Sequence, residues 1–137
     1  FNPEVGFLLR NSFRKPEANI LYHWRMNGKA GLLELRPHIS YRSYWNYGNK
    51  KLETSFLHID NHWEWENGLE VHTGINFTTE GVFTPFEIAT GVIVPAGSYS
   101  HNEGQFVWMT NTSKNISFNV REVIGGFFSV HRASTTF

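Results

Sequence analysis

The stretch LLELRPHISYRSYWNY, Leu32 to Tyr47, sorts its side chains by parity. Leu33, Leu35, Ile39, Tyr41, Trp45 and Tyr47 hold odd positions, while Glu34, Arg36, His38, Ser40, Arg42 and Asn46 hold even ones between them. Side chains of an extended chain point alternately to opposite faces, so this pattern predicts a long β-strand with one apolar and one polar face.

The same alternation extends outward from it. Between Leu52 and Glu66, Leu57, Ile59, Trp63 and Trp65 oppose His58, Asp60, His62, Glu64 and Glu66. Asn67-Gly68 follows, a pair that accepts the positive φ of a tight hairpin turn. Beyond it Leu69, Val71, Ile75 and Phe77 alternate with Glu70, His72, Asn76 and Thr78. Upstream, Ile20 to Met26 reads as a short strand closed by Asn27-Gly28-Lys29. Downstream, the period breaks in EGVFTPFEIATGVIVPAGS, residues 80–98, which reads as an irregular loop with one short strand at most. Strands are expected again at 105–110 and 116–124, then a break at Gly125-Gly126, then a last strand from Phe127. That makes about seven strands in a single segment, residues 1–137, with no credibly capped helix.

Bulk composition narrows the function classes. A net charge of zero and a charged fraction of 18% give no electrostatic reason for a nucleic-acid partner. The absence of cysteine excludes disulfides and thiolate metal sites. No apolar run reaches the roughly 18 residues of a spanning helix, and no basic-then-apolar signal segment opens the chain. The chain begins at Phe1 rather than Met, and reads as an excerpt of a longer polypeptide.

The class is therefore all-β and antiparallel, a meander, with two architectures in view. Soluble sandwiches favour strands of about five or six residues, whereas transmembrane barrel strands need roughly 9 to 11. Runs 32–47 and 52–66 suit the barrel. In that reading Glu34, Arg36, Arg42, His58, Asp60 and His62 face the lumen, and Leu35, Ile39, Tyr41, Leu57, Ile59 and Trp63 face lipid. Tyr41, Trp45 and Tyr47, like Trp63 and Trp65, gather near one end of their strands, as interfacial aromatic girdles do. A soluble β-sandwich also alternates, so periodicity leaves it open as the alternative.

PFEIATGVIVPAGSY, Pro85 to Tyr99, resembles a motif of the outer-membrane β-barrel region described as the DUF5916 domain, often found C-terminal to a family 9 carbohydrate-binding domain. FNPEVGF, Phe1 to Phe7, is similar to that family's entry into the barrel, and the strand spacing between them is similar too. REVIGGFFSV, Arg121 to Val130, departs from the polar turn expected there. The resemblance implies a fragment of a bacterial outer-membrane barrel. Its partners would be the lipid bilayer and the remaining strands of the same barrel, with carbohydrate as the associated ligand class. The segment itself is read as an anchor or pore, non-enzymatic and without a cofactor, with a glycoside-processing enzyme as a further alternative for the longer parent.

Three side-chain groups invite chemistry. His58, Asp60 and His62 share a face and are types that bind zinc-like ions. Alternate residues of a strand stand nearly 7 Å apart, so convergence on one ion needs a bulge or a helper residue. They are read as solvated lumen side chains, with no metal assigned. Glu64, Glu66 and Glu70 flank a turn and could in principle form a glycosidase pair, but no pocket is legible around them, so no catalytic residue is assigned. Trp24, Trp45, Trp63, Trp65 and Trp108 read as lipid or interface contacts, or as a sugar-stacking platform if the protein is soluble. The N-x-Ser/Thr triplets at Asn76, Asn111 and Asn115 carry no weight in a bacterial setting.

Overall fold

A computed structural model describes residues 12–128 and 130–137. The FNPEVGF segment lies outside the described residues. The chain is an antiparallel all-β meander. Its strands are β1 (Phe13–Arg14), β2 (Glu17–Leu21), β3 (Trp24–Arg25), β4 (Leu32–Asn46), β5 (Leu52–Trp65), β6 (Glu70–Val82), β7 (Phe86–Ala89), β8 (Val92–Val94), β9 (Gly97–Met109), β10 (Asn119–Phe127) and β11 (Val130–Thr136). Nine of them form one sheet in the order β1-β4-β5-β6-β9-β10-β11, with β2 and β3 also paired to β4, while β7 and β8 make a separate hairpin. Among the described residues the sheet does not close on itself.

Local chemistry accounts for the breaks. Asn27 and Gly28 both take positive φ, 51° and 74°, before a single 3-10 turn at Lys29–Gly31 returns the chain into β4. Asn46 Oδ1 accepts from the N–H groups of Gly48 and Asn49 at 3.0 and 3.1 Å, shaping the β4–β5 turn. Gly68, with φ 80°, closes the β5–β6 hairpin. The strand expected over 20–26 is split into β2 and β3 because Pro37 of β4 lies opposite the gap. Its carbonyl accepts from Tyr22 N at 3.0 Å, and the N–H that should complete the pair does not exist.

Two expectations are corrected. The segment 80–98 is not an irregular loop: β6 runs to Val82, β9 starts at Gly97, and between them β7 and β8 pair as a hairpin turned at Thr90-Gly91. Gly125-Gly126 is not a break but lies inside β10. A Cβ on Gly125 would come within 2.2 Å of Asn102 O, so glycine is what lets β10 approach β9 there. The chain reverses instead after Phe127, where Phe128 adopts φ 43°.

Register fixes which residues share a face. Ile20, Ile39, Ile59, Ile75, Gly104, Ile124 and Ala133 form one continuous cross-strand row. The next inner row on the opposite face runs His38, Asp60, Gly74, Gln105 and Val123. Burial is inverted relative to a protein with an oily core. Ile75 is 51% and Ile124 58% exposed, whereas Asp60, Asn76 and Glu103 are buried on the polar face. Only Val94, Val107 and Val123 are buried among the apolar residues described. No described element covers the isoleucine face.

Candidate functional site

All six residues expected on the lumen side, Glu34, Arg36, Arg42, His58, Asp60 and His62, fall on the polar face, through the pairings Glu34 with Glu64, Arg36 with His62, His38 with Asp60, Ser40 with His58, and Arg42 with Phe56. Leu35, Ile39, Tyr41, Leu57, Ile59 and Trp63 fall together on the other. Asn76 of the first triplet is buried on the polar face, where its Oδ1 meets His58 Nδ1 at 2.6 Å.

The centre of the polar face is an imidazole cluster around one carboxylate. His58 Nε2 stands 3.4 Å and His62 Nε2 3.7 Å from Asp60 Oδ2. His38 enters from β4, its ring 5.1 Å from that of His58 and 5.0 Å from that of His62. His72 of β6 lies flat on His62, with centroids 3.6 Å apart and planes 2° from parallel. Gly74 faces Asp60, and a Cβ there would come within 3.0 Å of Asp60 Cγ, so glycine leaves room for the carboxylate between strands. Sequence reading along β5 alone missed His38 and His72. The signal that finds them is strand register, which places them directly across from Asp60 and His62.

Beside this cluster the acidic residues form an ion-pair network. Arg36 lies 3.3 Å from both Glu64 Oε2 and Glu70 Oε2, and Glu64 and Glu70 pair directly across β5 and β6. Glu70 Oε2 also accepts from His72 Nε2 at 3.3 Å. Glu34 is bonded to His23. Glu66 is exposed at the turn and does not join the pair. A guanidinium lodged between two carboxylates makes a cross-strand brace rather than an acid and base opposed across a cleft.

The β7–β8 hairpin sits at the other end of the same face. Phe86 meets Phe128 edge-on at 5.9 Å, and Phe128 in turn packs on Tyr99 and His101, whose register with Glu80 and Thr78 puts them on the polar side. The tyrosine hydroxyl of Tyr99 donates to Pro95 O at 2.8 Å, tying the hairpin's exit to β9.

On the apolar face, the tryptophans segregate to two ends, with Phe106 and Phe77 between them. Trp24, Leu35, Trp63, Val71, Trp108 and Val120 make one cross-strand row, with Trp65 just beyond. Tyr41 and Trp45 lie toward the far end of β4. Indole N–H groups are satisfied along that face: Trp63 donates to Thr73 Oγ1 at 3.2 Å and Trp45 to Ser43 Oγ at 3.0 Å. Between the tryptophan and isoleucine rows lies a mixed one, Pro37, Asn61, Thr73, Phe106 and Glu122.

The fold and faces thus define a single-layer amphipathic sheet whose polar side is the more enclosed. Comparison with family models, curated proteins and solved structures finds no match to this chain.

Proposed function

We propose that this sheet is part of the wall of a bacterial outer-membrane β-barrel, serving as anchor or pore in a system of carbohydrate binding or uptake. The observation that carries the reading is the spacing of the two aromatic belts. From the tryptophan row at Leu35 to Trp45, β4 advances roughly 34 Å at about 3.4 Å per residue. At the ~40° tilt of barrel strands this projects to roughly 26 Å, against an apolar band about 25 Å tall in such barrels. The isoleucine row lies midway, where the hydrocarbon is deepest.

Open edges and an exposed isoleucine face also fit a wall that continues into further strands and meets lipid. The carbohydrate link rests on the Pro85–Tyr99 resemblance alone. Membrane fractionation of the full-length protein, with detergent extraction and a heat-shift gel, tests the reading. Recovery in the outer membrane with heat-modifiable mobility is expected, and a soluble, non-shifting protein overturns it.

One observation favours a second reading. Asn61, Thr73 and Glu122 alternate with Trp63, Phe106 and Trp108 on the apolar side, mixing hydrogen-bonding groups with ring faces as a polysaccharide-binding sheet would. A soluble β-sandwich module of that kind would stay monomeric without detergent and bind glycans through these rings.

A further inference from the structure

Asp60 poses a physical problem that its neighbours solve only at Oδ2, where two imidazoles approach. Its side chain is only 1% exposed, and Oδ1 has no hydrogen-bond donor among the described residues. A buried carboxylate without partners is strongly unfavourable, and sheets normally surround one with N–H donors or a cation. What surrounds it here is imidazole. His58 Nδ1 meets the side-chain oxygen of Asn76 at 2.6 Å, and its Nε2 faces Asp60 Oδ2 at 3.4 Å. A cation held beside the carboxylate would offset the cost of its burial.

We propose that His38, Asp60 and His62 bind a divalent first-row transition ion of the zinc type on the polar face. One donor atom from each lies within 4.8 Å of the others. Ligands of a tetrahedral ion with bonds near 2.1 Å stand about 3.4 Å apart, so the donors draw closer when the ion binds. The helper residue that strand spacing alone demanded is His38, contributed by the adjacent strand. Two imidazoles and one carboxylate suit zinc, copper, nickel or iron(II), whereas calcium and magnesium require oxygen-rich shells. His58 stands ready on the other flank of Asp60. His72 and Gly74 act as positioning residues: the first stacks on His62 and is anchored to Glu70, the second vacates the space Asp60 fills. This inference stands on the polar-face geometry and holds for either a barrel wall or a soluble sheet.

The test uses the full chain, chelator-treated and then titrated with Zn2+ or Co2+ alone. One Zn2+ per chain is expected by calorimetry, and Co2+ should develop the visible bands of a low-coordinate nitrogen and oxygen site that Zn2+ then bleaches. His38→Gln and Asp60→Asn should each weaken Zn2+ binding by more than the roughly 10- to 100-fold that loss of an outer-shell partner brings. His131→Gln, on an exposed residue of β11, should bind like the parent. Binding unchanged in the His38→Gln/Asp60→Asn double variant overturns the site, as does the absence of a stoichiometric step in the parent. Should the variants fail to fold, the Co2+ spectrum of the unsubstituted chain decides: the pale spectrum of the hydrated ion refutes the proposal.

Discussion

Ile75 and Val71 sit on the same face of β6, and arginine at each position separates a lipid-facing wall from a water-facing one. Ile75 belongs to the central isoleucine row and is 51% exposed, whereas Val71 lies between Trp63 and Trp108 and is half-buried. In water the ordering follows burial. Ile75→Arg would then cost within about 0.5 kcal/mol as a surface change, and Val71→Arg more. In a bilayer the ordering follows depth. The two residues are roughly 14 Å apart along the strand and so about 10 Å apart in depth at a ~40° tilt. With Ile75 at the midplane, Ile75→Arg costs about 2 to 4 kcal/mol, and Val71→Arg, near the belt, about 0 to 1. At 1.4 kcal/mol per decade these are losses of roughly 30- to 700-fold against at most about 5-fold in the folding equilibrium. Guanidinium titration of the full-length protein folded into lipid vesicles, read by the heat-shifted gel band, measures both. A larger loss for Val71→Arg than for Ile75→Arg refutes the lipid-facing assignment.

Glycine chemistry gives a second contrast: Gly125→Ala should destabilise by about 1 to 3 kcal/mol because its Cβ meets β9 backbone, whereas Gly104→Ala, whose nearest neighbour is 3.8 Å away, should be neutral or gain about 0.5 kcal/mol, both read from denaturant midpoints. Arg36→Met leaves Glu64 and Glu70 opposed without their shared cation and should lose about 1 to 3 kcal/mol, with part of the loss restored by adding Glu64→Gln; a double-mutant cycle checks this. Phe128→Ala removes the ring that Phe86 and Tyr99 pack against, so limited proteolysis should cut residues 83–96 faster while the β4–β5–β6 core keeps its protection. Brominated lipids should quench Trp24, Trp63 and Trp108 most when bromine is near the headgroups, since the three share one row.

How far the sequence revealed this molecule depended on the range of each signal. The parity of residues 32–47 and 52–66 is local, and it divides the twelve residues between two sheet faces as the register does, because a strand's side-chain alternation needs no knowledge of its neighbours. Gly125-Gly126 misled because glycine marks both turns and close strand approach, and only the position of Asn102 and Glu103 on β9 tells which. The β7–β8 pair was hidden by short runs whose prolines and glycines resemble loop punctuation. The imidazole cluster was half visible: His58, Asp60 and His62 stand in one strand, but His38 and His72 join them only through register set by turns many residues away.

The two edges of the sheet are chemically unequal, and this gives the molecule a direction. β11 offers an unbroken outer row of backbone donors and acceptors from Val130 to Thr136, while the opposite edge is cut into the short pieces β1, β2 and β3. A new strand, whatever its source, can zip along β11 but would be interrupted twice on the other side. Growth of the sheet is therefore one-sided, and in any ring built from it the weakest seam runs past Tyr22 and His23, where the proline of β4 withholds its hydrogen bond.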